Sequence, residues 1–184
     1  MIKKIIRLFN SLIINNIKFL FIKIFHFKRF KFHFLNFISP VASIDIQNKG
    51  KILFGKKCNI LSFNVIGVRE NGTIEINDGV FVNKNCQIVA HKKISIGSNV
   101  CIGPNTIIMD HDHLFGKNGV EKKKFKSSEI VIGKNVWIGA NCVILKGSKI
   151  GDNSVIGAGC IINSEIPDNS IVVQKRENTI IKIK

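Results

Sequence analysis

The chain reads as an all-β protein, a solenoid of short parallel strands with a helical segment at its N-terminus, and three observations lead there. From Ile132 onward an isoleucine occupies every sixth position: Ile132, Ile138, Ile144, Ile150, Ile156 and Ile162. Four of these are followed by glycine, at Gly133, Gly139, Gly151 and Gly157. Four residues after the first five stands another small or compact side chain, Val136, Cys142, Ser148, Ser154 and Cys160. A helix repeats every 3.6 residues and a half-buried strand every two. A strict six therefore calls for a coil that turns a corner every six residues and points one apolar side chain inward per side.

The same frame runs upstream. Phe54, Ile60 and Ile66, then Ile76, Val82 and Ile88, then Ile96, Ile102 and Ile108 hold the apolar position, with Cys58, Val80, Cys86, Val100 and Thr106 at the small one. The step widens to ten between Ile66 and Ile76, eight between Ile88 and Ile96, and twenty-four between Ile108 and Ile132. The largest inserted loop is thus expected within residues 109–131, the solenoid over 45–173 and a short tail over 174–184.

Residues 1–44 form the remaining unit, expected to be a basic amphipathic helical segment. They contain no Asp or Glu but carry Lys3, Lys4, Arg7, Lys18, Lys23, Lys28, Arg29 and Lys31. No apolar run approaches the roughly 18 to 20 residues needed to span a bilayer, and no small-residue cleavage site follows cleanly, so neither a membrane span nor a secretory signal is expected. Two uses remain for this segment: a helix lying on an anionic membrane face through residues 1–40, and a cap that seals the open end of the solenoid.

A formal charge of +16 on 184 residues would ordinarily raise nucleic acid as a partner. Here the cations outside the N-terminus are spread along the repeats, and the abundance of Lys, Asn and Ile is also what AT-rich coding produces. No nucleic-acid partner is expected. Of the five cysteines, Cys58, Cys86, Cys142 and Cys160 fall at the small inward position, Cys101 does not, and no CxxC pair occurs. They read as compact packing groups, and reduced thiols of this kind suit a cytoplasmic protein, at most peripheral on the inner face of the membrane.

The chemistry is expected at Asp110-His111-Asp112-His113, which opens the long insertion. A histidine beside a carboxylate at the rim of a rigid scaffold suits general-base work: its pKa lies near neutrality and the carboxylate can fix its tautomer. His91, His111 and His113 are also conceivable as three zinc ligands. The single residue between His111 and His113 argues against it, and no metal is expected.

With these residues in view, the run IGKNVWIGANCVILKGSKIGDNSVIGAGCIINSEIP from Ile132 to Pro167, together with the DHDH loop and Phe81–Cys86 (FVNKNC), strongly resembles the hexapeptide-repeat acetyltransferases. These are left-handed parallel β-helix enzymes related to maltose, galactoside, capsule and lipopolysaccharide O-acetyltransferases. The resemblance covers most of residues 50–173. It implies a homotrimer, acetyl-CoA as co-substrate in the groove between neighbouring subunits, and a saccharide acceptor entering from the side of the long loop.

Residue by residue, the resemblance puts the catalytic base five positions after Ile108, at His113, with His111 second and Asp110 or Asp112 orienting the ring. The N-x-N-C motif Asn83-Lys84-Asn85-Cys86 implies acceptor binding by Asn83 and, above all, Asn85, for which stabilisation of a coil corner is the other reading. Trp137 stands where the family uses it beside the pantetheine arm, trimer packing being its alternative. Gly139, Ala140 and Ala158 mark the cofactor groove, with a backbone N–H at Gly139 or Ala140 as oxyanion donor.

Two departures from the family stand out. No carboxylate follows the N-x-N-C motif, where Val89-Ala90-His91-Lys92 stands. The usual Thr-Lys is replaced by Asn163-Ser164, and the Gly-x-Pro-Ala-Lys tail by Gln174-Lys175-Arg176-Glu177-Asn178, leaving Lys175, Arg176 or Lys182 as cations for the nucleotide phosphates. The expected function is acetyl-CoA-dependent O-acetyl transfer to a sugar hydroxyl of a surface polysaccharide, its precursor or a related saccharide. N-acetylation of an amino-sugar nucleotide and a non-catalytic scaffold are the alternatives.

Overall fold

Because each short strand of a coil runs into a corner before it can pair with its sequence neighbour, pairing is deferred by one full coil and every ladder between coils is parallel. The computed structural model, which describes residues 17–117 and 119–175, is built in this way as a left-handed parallel β-helix. One face holds seven strands from Phe30–Lys31 to Glu165–Ile166, the second seven from Phe37–Ile38 to Ile171–Val172, and the third six from Ser43–Ile46 to Ile161–Ile162.

The period of six becomes columns in the core. Ile38, Ile60, Val82, Ile102, Ile138, Ile156 and Val172 lie one above the next on the second face. Ile44, Ile66, Ile88, Ile108, Ile144 and Ile162 do so on the third. Nearly all are buried, at about 1.5 to 3 kcal/mol of transfer free energy per side chain. The small positions fill the inside of the corners: Cys58, Cys86, Cys142, Cys160, Ser148 and Ser154 are buried. Burial pushes the Cys58 thiol up to about 11, so it packs as an uncharged group, while Cys101 faces outward and is exposed.

Corners also demand left-handed backbone. Of the eleven non-glycine residues with positive φ among the described residues, eight are asparagines, Asn48, Asn85, Asn99, Asn105, Asn135, Asn141, Asn153 and Asn169. Asparagine enters that region more readily than other side chains. The asparagines then form ladders from coil to coil, Asn99 to Asn135 at 3.2 Å, Asn135 to Asn153 at 3.0 Å and Asn153 to Asn169 at 3.2 Å. Their abundance therefore has a structural cause beyond coding bias. Gly139 has another: a Cβ there would lie 2.6 Å from the backbone nitrogen of Ala158 in the next coil.

The boundary expected at residue 45 moves. Helix occupies residues 17–25, and the solenoid already begins at Phe30–Lys31, paired with Ile52 and Leu53. The reason was in the frame: Phe32, Ile38 and Ile44 keep the six-residue spacing, followed by a ten-residue step to Phe54 like that from Ile66 to Ile76. The insertion within 109–131 is an antiparallel hairpin, His111–Gly116 with Gly119–Ser127, bulged between His113 and Leu114.

The helix seals the first coil. Phe19, fully buried, stacks on Phe32 at 4.9 Å and on Phe30 at 6.1 Å between ring centroids. Lys18 Nζ donates to the carbonyls of Pro40 and Ala42 at 2.7 and 2.8 Å. No described helix is long and apolar enough to cross a membrane.

Candidate active site

Ile88 and Ile108 are register partners on the third face, so the residues three positions beyond each, His91 and His111, emerge at the same corner one coil apart. Their ring centroids lie 3.8 Å from each other. Between them the chain buries Asp110 completely. Its Oδ1 accepts the backbone N–H of His91 at 2.8 Å, and its Oδ2 accepts those of Lys92 and Lys93 at 2.7 Å each. His111 Nδ1 lies 3.2 Å from the same Oδ1.

Burial raises the Asp110 pKa, but the hydrogen bonds from His111 and from the backbone of His91 and Lys92 outweigh it and hold the carboxyl below its ordinary range. An ionised carboxylate only accepts, so His111 Nδ1 is the donor, and in the neutral ring it is Nε2 that carries the lone pair. The His111 side chain keeps 13% of its surface exposed. His91 is pushed toward lower pKa by burial and then by the neighbouring His111, both of which favour the neutral ring, and its buried Nδ1 has no hydrogen-bond partner among the described residues.

Phe125, on the returning strand of the hairpin, closes the cluster. Its ring lies 4.2 Å from that of His91, 5.6 Å from His111 and 4.6 Å from His113. His113 is exposed, opposite Phe125 across the hairpin, and Asp112 is ion-paired with Lys146. Of the four residues named from the DHDH motif, Asp110 and His111 come together, and neither carboxylate engages His113 among these contacts. Phe125 is the member that sequence reasoning missed, and His91 entered it only as one of three conceivable zinc ligands. For His91 a signal existed, the shared offset of three from an inward isoleucine. For Phe125 there was none, because only the bulged hairpin register brings it back to the corner.

A second feature lies at a different edge. Asn83, Gly103, Trp137, Gly139, Ala140 and Ala158 line a groove of about 460 Å³ at the corner between the second and third faces. Trp137 stands outward between Cys101 and Val155, 58% exposed. The Gly139 N–H already donates to the Ile156 carbonyl at 2.7 Å, which removes it as an oxyanion donor and corrects that expectation. Asn83 Oδ1 accepts the Lys84 N–H at 2.8 Å, and Asn85, at φ +59°, is exposed at the same corner. Lys175 is exposed, whereas Arg176 and Lys182 lie outside the described residues. Within one chain the strand Ile107–Met109 separates this groove from the histidine corner.

Residues 129–164 match the family model described as bacterial transferase hexapeptide (six repeats). The chain is 30% identical over 140 residues to the putative lipopolysaccharide biosynthesis O-acetyl transferase WbbJ of Escherichia coli, covering 69% of each sequence. The chain belongs to the hexapeptide-repeat acetyltransferases. It is thus an acyltransferase by family. It is also 41% identical over 98 residues to the galactoside O-acetyltransferase of Escherichia coli, spanning 53% of this chain and about half of that one, 48%. A hexapeptide-repeat acetyltransferase of Vibrio cholerae, crystallised in complex with acetyl coenzyme A, superposes with a TM-score of 0.55 at 28% identity over 65% of this chain and 64% of that one.

Proposed function

We propose that the protein transfers an acetyl group from acetyl-CoA to a sugar hydroxyl of a surface polysaccharide, its precursor or a related saccharide. The observation that carries the reading is the Asp110–His111 pair, a buried carboxylate fixing the tautomer of a partly exposed imidazole whose Nε2 is left as a base. In the proposed step His111 Nε2 takes the acceptor hydroxyl proton as that oxygen attacks the thioester carbonyl. The tetrahedral oxyanion meets a backbone N–H at Ala140. The carbon–sulfur bond then breaks, and the CoA sulfur leaves with the proton held by the imidazolium. The products are the acetyl ester and free CoA.

The groove beside Trp137, floored by Gly139, Ala140 and Ala158, fits a slender pantetheine arm, since larger side chains there would fill it. The groove and the imidazole occupy different edges of one chain, so the reading takes the homotrimer of the family: the groove of one subunit faces the Asp110–His111 corner of its neighbour. Asn85 stands exposed to meet acceptor hydroxyls, and Lys175 is available to the nucleotide phosphates.

The sequence resemblance put the base at His113; the carboxylate contact favours His111, and the two assignments are separable. With acetyl-CoA and a panel of saccharides and amino sugars, thiol release should fall about 10² to 10⁴-fold in His111→Ala and stay near the parent rate in His113→Ala. Turnover lost in His113→Ala and kept in His111→Ala would reverse the assignment. Release with amino sugars alone would make the enzyme an N-acetyltransferase.

A further inference from the structure

We propose that the helix at residues 17–25 carries a docking surface for an anionic lipid bilayer. The helix has two apolar faces. Phe19 and Ile22 turn toward the solenoid and pack on its core. Ile17, Leu20, Phe21 and Ile24, spaced i, i+3, i+4 and i+7, form the stripe of a second buried face, yet they are 51%, 58%, 59% and 63% exposed. A cap needs only the first face.

Beside the stripe, Phe25, Phe27 and Phe34 are 77%, 72% and 67% exposed. Between the helix and Phe32–Phe34 runs an apolar groove of about 610 Å³, with Lys23 among its lining residues. A groove of this kind admits an acyl chain, with the lysine left to the headgroup phosphate.

Charge selects the occupant. Residues 1–44 hold eight cations and no carboxylate, and Lys23, Lys28, Arg29 and Lys31 flank the exposed aromatic side chains. A second copy of the chain would bring this basic surface against its like, whereas an anionic leaflet complements it. The surface stands at the first coil, away from both the groove at Trp137 and the Asp110 corner, so it is independent of the acyl-transfer reading.

The test is co-sedimentation of the full chain with phosphatidylcholine vesicles, with and without phosphatidylglycerol, at low and high salt. Binding should require the anionic lipid and weaken with salt. The variant Leu20→Ser, Phe21→Ser, Ile24→Ser should lose at least about a hundredfold in partitioning while keeping its melting temperature, sedimentation coefficient and turnover on a soluble acceptor. Indifference of the full chain to anionic vesicles would overturn the proposal. So would a variant that still binds, one that melts markedly lower because the stripe is covered by another part of the chain, or one that sediments as a smaller assembly because a second copy covers it.

Discussion

Replacing Asp110 by asparagine changes one atom of the site and should cost both stability and rate. The amide side chain would keep one oxygen for the His91 N–H and for His111 but would set an NH₂ group where Oδ2 now accepts two backbone donors, Lys92 and Lys93, each at 2.7 Å. Each of those part-buried N–H groups loses its acceptor, at up to about 1 to 3 kcal/mol apiece, or roughly 2 to 6 kcal/mol together at most. For a chain of this size about 2 to 4 °C accompanies each kcal/mol, so a melting temperature about 4 to 24 °C lower is expected. Flipping the amide would save those two bonds only by presenting NH₂ to His91 and His111, which spoils the tautomer. In either orientation the imidazole loses its anionic partner, and kcat should fall by about 10²-fold. The assay is thermal unfolding beside thiol release, with His111→Ala as comparator: it leaves the three backbone bonds of Asp110 in place and gives up one charge-assisted hydrogen bond, at about 1.5 to 3 kcal/mol, so it should melt between Asp110→Asn and the parent. An Asp110→Asn protein that melts like the parent and keeps its turnover would refute the assignment of the carboxylate as the organiser of this corner.

Three further outcomes follow from the geometry of the two sites. His91 has a lowered pKa in the folded protein, so the unfolded chain binds its proton first and the folded state loses stability as pH falls below about 6.5, the ordinary imidazole value; His91→Phe should flatten the melting temperature across that acidic window, and an unchanged pH slope would count against it. Ala158→Leu should raise KM for acetyl-CoA by about tenfold or more with little change in melting temperature, because its side chain lines the groove and not the core; Gly139→Ala, whose Cβ would sit 2.6 Å from the Ala158 nitrogen, should instead lower the melting temperature.

The architecture was legible because a six-residue coil writes its period directly into the chain: one inward isoleucine and one compact corner residue per side suffice to specify the ladder. The same frame at Phe32, Ile38 and Ile44 also encoded the first coil. It was concealed by the apolar side chains around it, which a helix and a strand use equally well. The chemistry was legible only as a list of groups. Which imidazole meets a carboxylate depends on the vertical register of two coils twenty residues apart, Ile88 under Ile108, and on a bulge that carries Phe125 back over the corner. Local sequence does not contain that register, since Asp110 neighbours His111 in the chain whichever way its side chain points. Packing turned the carboxylate inward onto the backbone of the coil below, and so decided that Asp110 holds His111 while Asp112 goes to Lys146. Likewise a stripe of Ile17, Leu20, Phe21 and Ile24 announces a buried helix face in any sequence, and only the tertiary structure reveals that the solenoid took the other one.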